Sequence, residues 1–253
     1  MNIRQQRVIR SVGGLLLAAW IASFAACGGG GGSGASSVST VAFTGTAATG
    51  KALANATINI NCARGSMSVA ADAHGNYRAT FGAVTPCVIA ATSGGTLLRS
   101  AAFAGGTFNV TPETDLLLSY LAAQLGTNES GLIAGFAANA QFQQAMQNQN
   151  AVLTAQAAVV QNLQQTYGVV LSIPNFLITP FTVGQPGVDS DLEALLARGA
   201  IDTSGQPNAS AVALMERMGA AHPISASPGT STGGVGGTSS GGTGNPGGIG
   251  GMM

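Results

Sequence analysis

The amino-acid sequence predicts an α+β protein: a small antiparallel β-sandwich over residues 38–111, then an α-helical region over 112–222. Three observations carry this. Between Val38 and Thr111, short runs rich in β-type residues are separated by Gly and Asn turns, the pattern of half-buried strands with tight connections. After Val110 the sequence turns Leu-rich and then Ala/Gln-rich, with helix start and stop residues in place. Both flanks are glycine-rich: residues 28–37 read GGGGGSGASS, and 12 of the 31 residues from Pro223 to Met253 are Gly. Such segments cannot bury enough apolar surface to offset their ordering entropy, so both are read as disordered. The 253 residues, 45% of them apolar, suffice for a real core between them.

The first element is a leader. Arg4, Arg7 and Arg10 precede an uncharged run of 16 residues from Ser11 to Ala26. That is shorter than the roughly 20 residues a membrane-spanning helix needs. A basic start, a short apolar heart and small residues at the end describe a secretory signal over 1–26. Phe24-Ala25-Ala26-Cys27, followed by Gly28, resembles the lipobox of bacterial lipoproteins, with Phe24 where that family has Leu. The resemblance implies cleavage before Cys27, acylation of Cys27 on its thiol and its new amino group, and attachment to a lipid bilayer. Gly28, rather than Asp, is similar to the pattern that sorts such proteins to the outer membrane. The alternative is cleavage after Ala25, with Ser23-Phe24-Ala25 as the small-x-small signal, which leaves Cys27 an exposed thiol. Residues 27–37 then form a lipidated tether and 223–253 a tail. Loss of three arginines takes the chain from net zero to six basic and nine acidic groups, a net of −3. With 7% charged residues, a nucleic-acid partner is excluded, since that needs clustered Lys and Arg.

Within the sandwich, Ala56 to Cys62 alternates apolar and polar residues with period two. Ser66–Ala71 and Tyr77–Phe81, joined by Asp72-Ala73-His74-Gly75-Asn76, read as a hairpin with its turn spelled out. Cys87–Thr92, Leu97–Phe103 and Thr107–Val110 supply further strands, six or seven in all. Thr111-Pro112-Glu113 then opens a helix, through a capping hydroxyl, a first-turn proline and an acid at the positive end of the dipole. This helix runs to Gly126, and its wide apolar stripe places it between the sandwich and later helices. Gly131–Gln147 and Val152–Tyr167 are helical, the second ending at Gly168, and Val169–Ile173 reads as a short strand. An extended loop covers 175–187. Ser190-Asp191-Leu192-Glu193 has the capping-box pattern and opens a helix to Arg198. Asn208–Met218 is the last helix, with Gly219 as its stop.

Several constellations invite a chemical reading. With Cys27 taken by lipid, Cys62 and Cys87 form one disulfide; the alternative, a metal pair, has no nearby Cys or His to complete a zinc site. Asp72 to Asn76 places oxygen ligands at alternate positions, as a calcium loop does, but lacks the later acids and the bidentate Glu. A turn is the preferred reading. His74 and His222 have no Ser or Cys nucleophile in a recognisable motif. Glu113 and Asp115, two apart on a helix, do not face each other, and a helix N-terminus accounts for both. Asp189, Asp191 and Glu193 are read likewise. The glycine run lies in the tether and follows no strand, so it is not a phosphate loop. The sequons at Asn55 and Asn109 are not read as glycosylated. No catalytic, cofactor-binding or metal-ligating residue is assigned, and the chain is expected not to be an enzyme.

Gly45-Thr46-Ala47-Ala48-Thr49-Gly50-Lys51-Ala52-Leu53-Ala54-Asn55-Ala56-Thr57-Ile58, with Asp72-Ala73-His74-Gly75-Asn76-Tyr77 downstream, resembles the carboxypeptidase regulatory-like family, whose domain is an Ig-like or transthyretin-like sandwich. Ile58 stands where that family has Val. The Cys62/Cys87 pair and Asn109-Val110-Thr111-Pro112 look like uncharacterised proteobacterial lipoproteins. The likeness covers about a third of the chain and speaks to fold; it implies an accessory module and transfers no ligand residue. Two functions follow as expectations. One is a structural or protein-interaction role in the cell envelope. The other is polysaccharide binding, which needs exposed aromatics; only Tyr77, Tyr120 and Tyr167 are offered beyond the leader's Trp20.

Overall fold

Seven strands and six helices follow one another along residues 38–224, the part of the chain that the structure, a computed structural model, describes. The expected leader, Cys27, the expected tether and the tail beyond residue 224 lie outside the described residues. The strands are β1 (Thr40–Thr46), β2 (Thr57–Arg64), β3 (Ser66–Ala70), β4 (Asn76–Gly82), β5 (Val84–Ser93), β6 (Thr96–Ala102) and β7 (Gly106–Thr107). They form two sheets, ordered β4-β1-β7 and β3-β2-β5-β6. The period-two pattern of β2 becomes two faces: Ile58, Ile60 and Cys62 are buried while Thr57 and Asn61 are exposed. Cys62 and Cys87, directly opposite on β2 and β5, are joined in the expected disulfide. The sheets are antiparallel except at one edge, where β7 lies parallel to β1.

The expected hairpin between 66–71 and 77–81 does not form. β3 pairs with β2, placing Val69 opposite Ile58, whereas β4 pairs with β1, placing Asn76 opposite Thr46. The turn chemistry is nevertheless in place. The Asp72 carboxylate accepts from the N–H groups of His74 (2.8 Å) and Asn76 (2.9 Å), and Gly75 takes φ +80°. This five-residue turn steps between sheets, and the Ala47 N–H donates to the Gly75 carbonyl (2.8 Å) to fix it on the first. The hairpins that do form link β2 to β3 at Gly65 and β5 to β6 at Gly94-Gly95.

The helices are α1 (Pro112–Gln124), α2 (Glu129–Gly135), α3 (Ala140–Gln147), α4 (Gln149–Tyr167), α5 (Val188–Ala197) and α6 (Ala209–Ala220). Thr111 caps α1: its hydroxyl accepts from the Thr114 N–H (3.4 Å), and the Thr114 hydroxyl accepts from the Thr111 N–H (2.9 Å). Every residue from Pro112 to Ala123 is buried, as the wide apolar stripe required. The single helical stretch expected over 131–147 is two helices, because Asn139 caps α3 by accepting from Gln141 and Phe142 N–H. Residues 169–173 form no strand: the N–H groups of Ser172 and Ile173 go to the Asp191 carboxylate, both at 3.0 Å, instead of to a neighbouring strand. α5 starts before Ser190, whose hydroxyl accepts from the Gly187 N–H (3.0 Å) from inside the first turn. Gly219 lies within α6 and stops nothing; a Cβ there would collide with the Tyr120 carbonyl oxygen, so glycine permits the α1–α6 crossing.

One main core runs from Phe43, Ile60 and Ile89 of the sheets, through Leu117 and Leu121 of α1, to Val159, Leu192 and Met215 of the later helices. The sandwich residues 38–111 and the helices of 112–222 therefore share it. A second, smaller core lies on the other face of β5 and β6, where Val88 and Ala101 meet Leu118, Leu132, Phe136 and Met146. No helix of the described residues is long and apolar enough to cross a membrane.

Candidate functional site

The second core builds the site. By burying Leu132 and Phe136 against Val88 and Ala101, it lifts α2 over the outer face of the four-stranded sheet. Between α2 and the β2–β3 turn remains a cleft of about 450 Å³, within the size range of small-ligand sites. Val88 and Ala90 form its floor, Ile133 and Phe136 one wall, and Arg64 and Ser66 the other. Arg99 on β6 also lines it, its Nη1 donating to Glu129 Oε1 at 2.9 Å in the only ion pair among the described residues. Arg64 is exposed and has no such partner there. The strand register shifts between Cys62 and Arg64, an irregularity of the kind that re-aims side chains. Residues 38–224 contain six cationic side chains, Lys51, Arg64, Arg78, Arg99, Arg198 and Arg217, and two of the six line this one cleft.

Behind Arg99 lie acids that the sequence reading treated as ionised caps. Glu113 and Asp115 do not face each other, as expected, but each meets an acid from another element. Asp115 accepts from the Arg99 N–H (3.0 Å). Its carboxyl is pushed well above the usual range, first by burial, then by the charge and hydrogen bonding of Glu129, with Arg99 pulling the other way. Glu113 is fully buried, and neither of its oxygens has a hydrogen-bond partner. Burial and then the Asp191 charge push it well up, opposed by the Thr111 side chain. The helix-dipole account of Glu113 is thus corrected. A dipole favours charge by up to about 2 kcal/mol, less than burial of an unpaired carboxylate costs. Asp191 and Asp189 are buried too, but as clamps: Asp191 also accepts from the Ser172 hydroxyl (3.1 Å), and Asp189 from the Gly184 N–H (2.8 Å). Glu193 is exposed.

Asp72 is occupied by its own turn, whose N–H donors, that of Asn76 first, hold its carboxyl below the usual range. The sequence reading missed a second turn of the same build. Asp202 accepts from the Ser204 hydroxyl (2.6 Å) and the N–H groups of Ser204 (2.8 Å) and Gln206 (3.0 Å), and its own N–H donates to the Gln206 carbonyl (2.8 Å), as Asp72 does to Asn76. The shared D-x-x-G-x spacing builds the same turn at both places. Among the described residues no group of three or more His, Cys, Asp or Glu side chains is placed to hold a metal ion. His74 sits exposed in the first turn and His222 exposed after α6.

Of the three tyrosines offered for stacking on glycans, two are not at the surface. Tyr77 is buried and its hydroxyl donates to the Phe108 carbonyl, while Tyr120 is also buried. Tyr167 is partly exposed. Asn109, fully buried, accepts from the Thr46 N–H (3.2 Å) and donates to the carbonyls of Phe176 (2.8 Å) and Thr179 (2.7 Å), latching the loop after α4 onto the sandwich. Asn55 is exposed in a turn with φ +56°. The cleft itself was missed, although one signal was available. Cys87-Val88-Ile89-Ala90-Ala91 is apolar at every position, the mark of a strand covered on both faces. The chain matches no family model, no curated protein and no solved structure.

Proposed function

We propose that this chain is an exported lipoprotein, held in the outer membrane through acylated Cys27, with a recognition role in the cell envelope and no catalytic one. Its recognition face is the cleft between α2 and the β2–β3 turn. The observation that carries this reading is the convergence of Arg64 and Arg99 on an apolar floor, in a unit with only six cationic side chains. The proposed carboxypeptidase regulatory-like, transthyretin-like identity of the β region draws support from the roles of its motif residues. Leu53, Ala56, Ile58 and Tyr77 are core, Asp72 and Gly75 are turn, and a Cβ on Gly45 would collide with the Phe108 carbonyl. All serve the fold, as an accessory module requires.

Two measurements test the proposal. Intact mass of membrane-extracted protein should give an amino terminus at Cys27 with added acyl mass; an unmodified soluble form beginning at Ala26 overturns the anchor. A photo-crosslinker at exposed Ala137, beside the cleft, should capture an envelope partner that the same probe at Arg78, on the other sheet, does not. Equal capture from both positions overturns the cleft as the recognition face.

A further inference from the structure

We infer that the cleft takes the free C-terminal carboxylate of a partner polypeptide ending in an apolar residue. This rests on the reading of the cleft as the recognition face and names its ligand. The site offers two guanidinium groups and a small apolar floor side by side. Arg64 is uncommitted, and Arg99 gives one nitrogen to Glu129 and keeps the rest of its fork, a planar donor set suited to a carboxylate. The apolar part is short, made of Val88, Ala90, Ile133 and Phe136. That suits one aliphatic side chain. Asn61 and Ser66, both exposed on the rim, supply an amide and a hydroxyl for the peptide groups that precede a terminus. Charge complementarity selects an anion: two arginines and no acid are among the residues lining the cleft, and Glu129 beside it is already paired with Arg99. Glu129 is therefore the group the incoming carboxylate competes with for Arg99.

The test is fluorescence anisotropy on the full chain with a labelled Gly-Ser-Gly-Ser-Leu peptide bearing a free carboxylate. The same peptide as its C-terminal amide, the same peptide ending in Asp, and decanoate as competitor complete the set. The free acid should bind, the amide and the Asp-ended form at least about tenfold more weakly, as loss of a charge-assisted contact predicts. Arg64→Gln and Arg99→Gln should each weaken binding about tenfold, Ala90→Leu should block the floor, and Glu129→Gln should strengthen binding several-fold by freeing Arg99. Arg78→Gln should change nothing. Since Arg64 is exposed, its variant keeps the test valid even where Arg99→Gln unfolds the protein. Equal binding of acid and amide, or wild-type binding by folded Arg64→Gln, overturns the inference, as does binding of decanoate without the peptide. If the peptide fails while Ala137 still captures a partner, the ligand class falls and the recognition reading stands; silence in both removes both.

Discussion

Replacing Glu113 with Gln should stabilise the protein near neutral pH, and the gain should vanish in acid. Glu113 is fully buried at the start of α1, both carboxyl oxygens lack partners, and burial and then Asp191 drive its carboxyl well above the usual range. An unfolded glutamate gives up its proton above about pH 4.5. From there upward the folded state keeps a proton that the unfolded state has lost. Folding then becomes less favourable by about 1.4 kcal/mol per pH unit from this group alone. This is the reverse of a salt-bridged acid: stability is greatest below the unfolded value and is lost as pH rises. Between that value and neutrality the loss cannot exceed about 3.5 kcal/mol. Gln keeps the shape and cannot ionise in either state, so the unfolded chain no longer gains by losing a proton, and Glu113→Gln should recover about 1–3 kcal/mol at about pH 7. In urea this is a midpoint shift of about 1 M, read by circular dichroism across a pH series. A variant no more stable than wild type at neutrality refutes the reasoning. So does a gain of equal size at about pH 4, which would belong to packing instead of the proton.

Asn109→Ala strands the Thr46 N–H and the Phe176 carbonyl in the core and frees the half-buried Thr179 carbonyl, and should cost about 3–5 kcal/mol by chemical denaturation; a loss below about 1 kcal/mol would show the latch to be idle. Gly219→Ala should lower stability by about 1–3 kcal/mol despite alanine's better helix propensity, because the new Cβ meets the Tyr120 carbonyl and the Ala123 side chain. A raised melting temperature would mean that α1 and α6 do not cross as closely as described. Cys62→Ser opens a bridge between residues 25 apart in sequence and should cost about 3.5 kcal/mol by loop entropy; wild type should fall to the variant's melting temperature on reduction, and indifference to both would show that the bridge does not contribute.

The features legible in the sequence were those decided within a few residues. Thr111, Pro112 and Thr114 set the start of α1 by contacts within a single turn, and Gly168, at φ +68°, ends α4 at its own position. The two-sheet β region followed by helices was legible because its strands and helices differ in residue preference and period. Most of what failed was chosen by a distant partner, although the Asn139 cap before α3 and the Asp202 turn are local and were missed as well. Asp72 to Asn76 fixes a reversal but cannot say whether the returning strand joins β3 or β1; that is settled by Ala47, far back in the chain. Val169–Ile173 has strand-like residues, yet Asp191 takes the N–H groups that a sheet would have used. Gly219 looks like a stop and is a crossing point, because its neighbour Tyr120 is about a hundred residues away in sequence.

The cleft was hidden for the same reason and for one more. Arg64, Arg99 and Phe136 come from the end of one strand, the middle of another and the cap of a helix, so no local spacing joins them. Scarcity of charge also reads, along the sequence, as scarcity of chemistry. In three dimensions it acts the other way. Four of the nine acids, Glu113, Asp115, Asp189 and Asp191, are buried and lend little to the surface. The 59 residues from Ser130 to Val188, which include the α2 wall of the cleft, carry no charged side chain at all. On a densely charged protein two arginines would be screened and balanced by their neighbours within a Debye length of about 8 Å. Here Arg64 stands against a nearly neutral background, and the sign of the cleft is set by two residues. A surface of that kind discriminates by the presence or absence of one negative charge, which is why the free acid and the amide of a single peptide are the decisive pair of ligands.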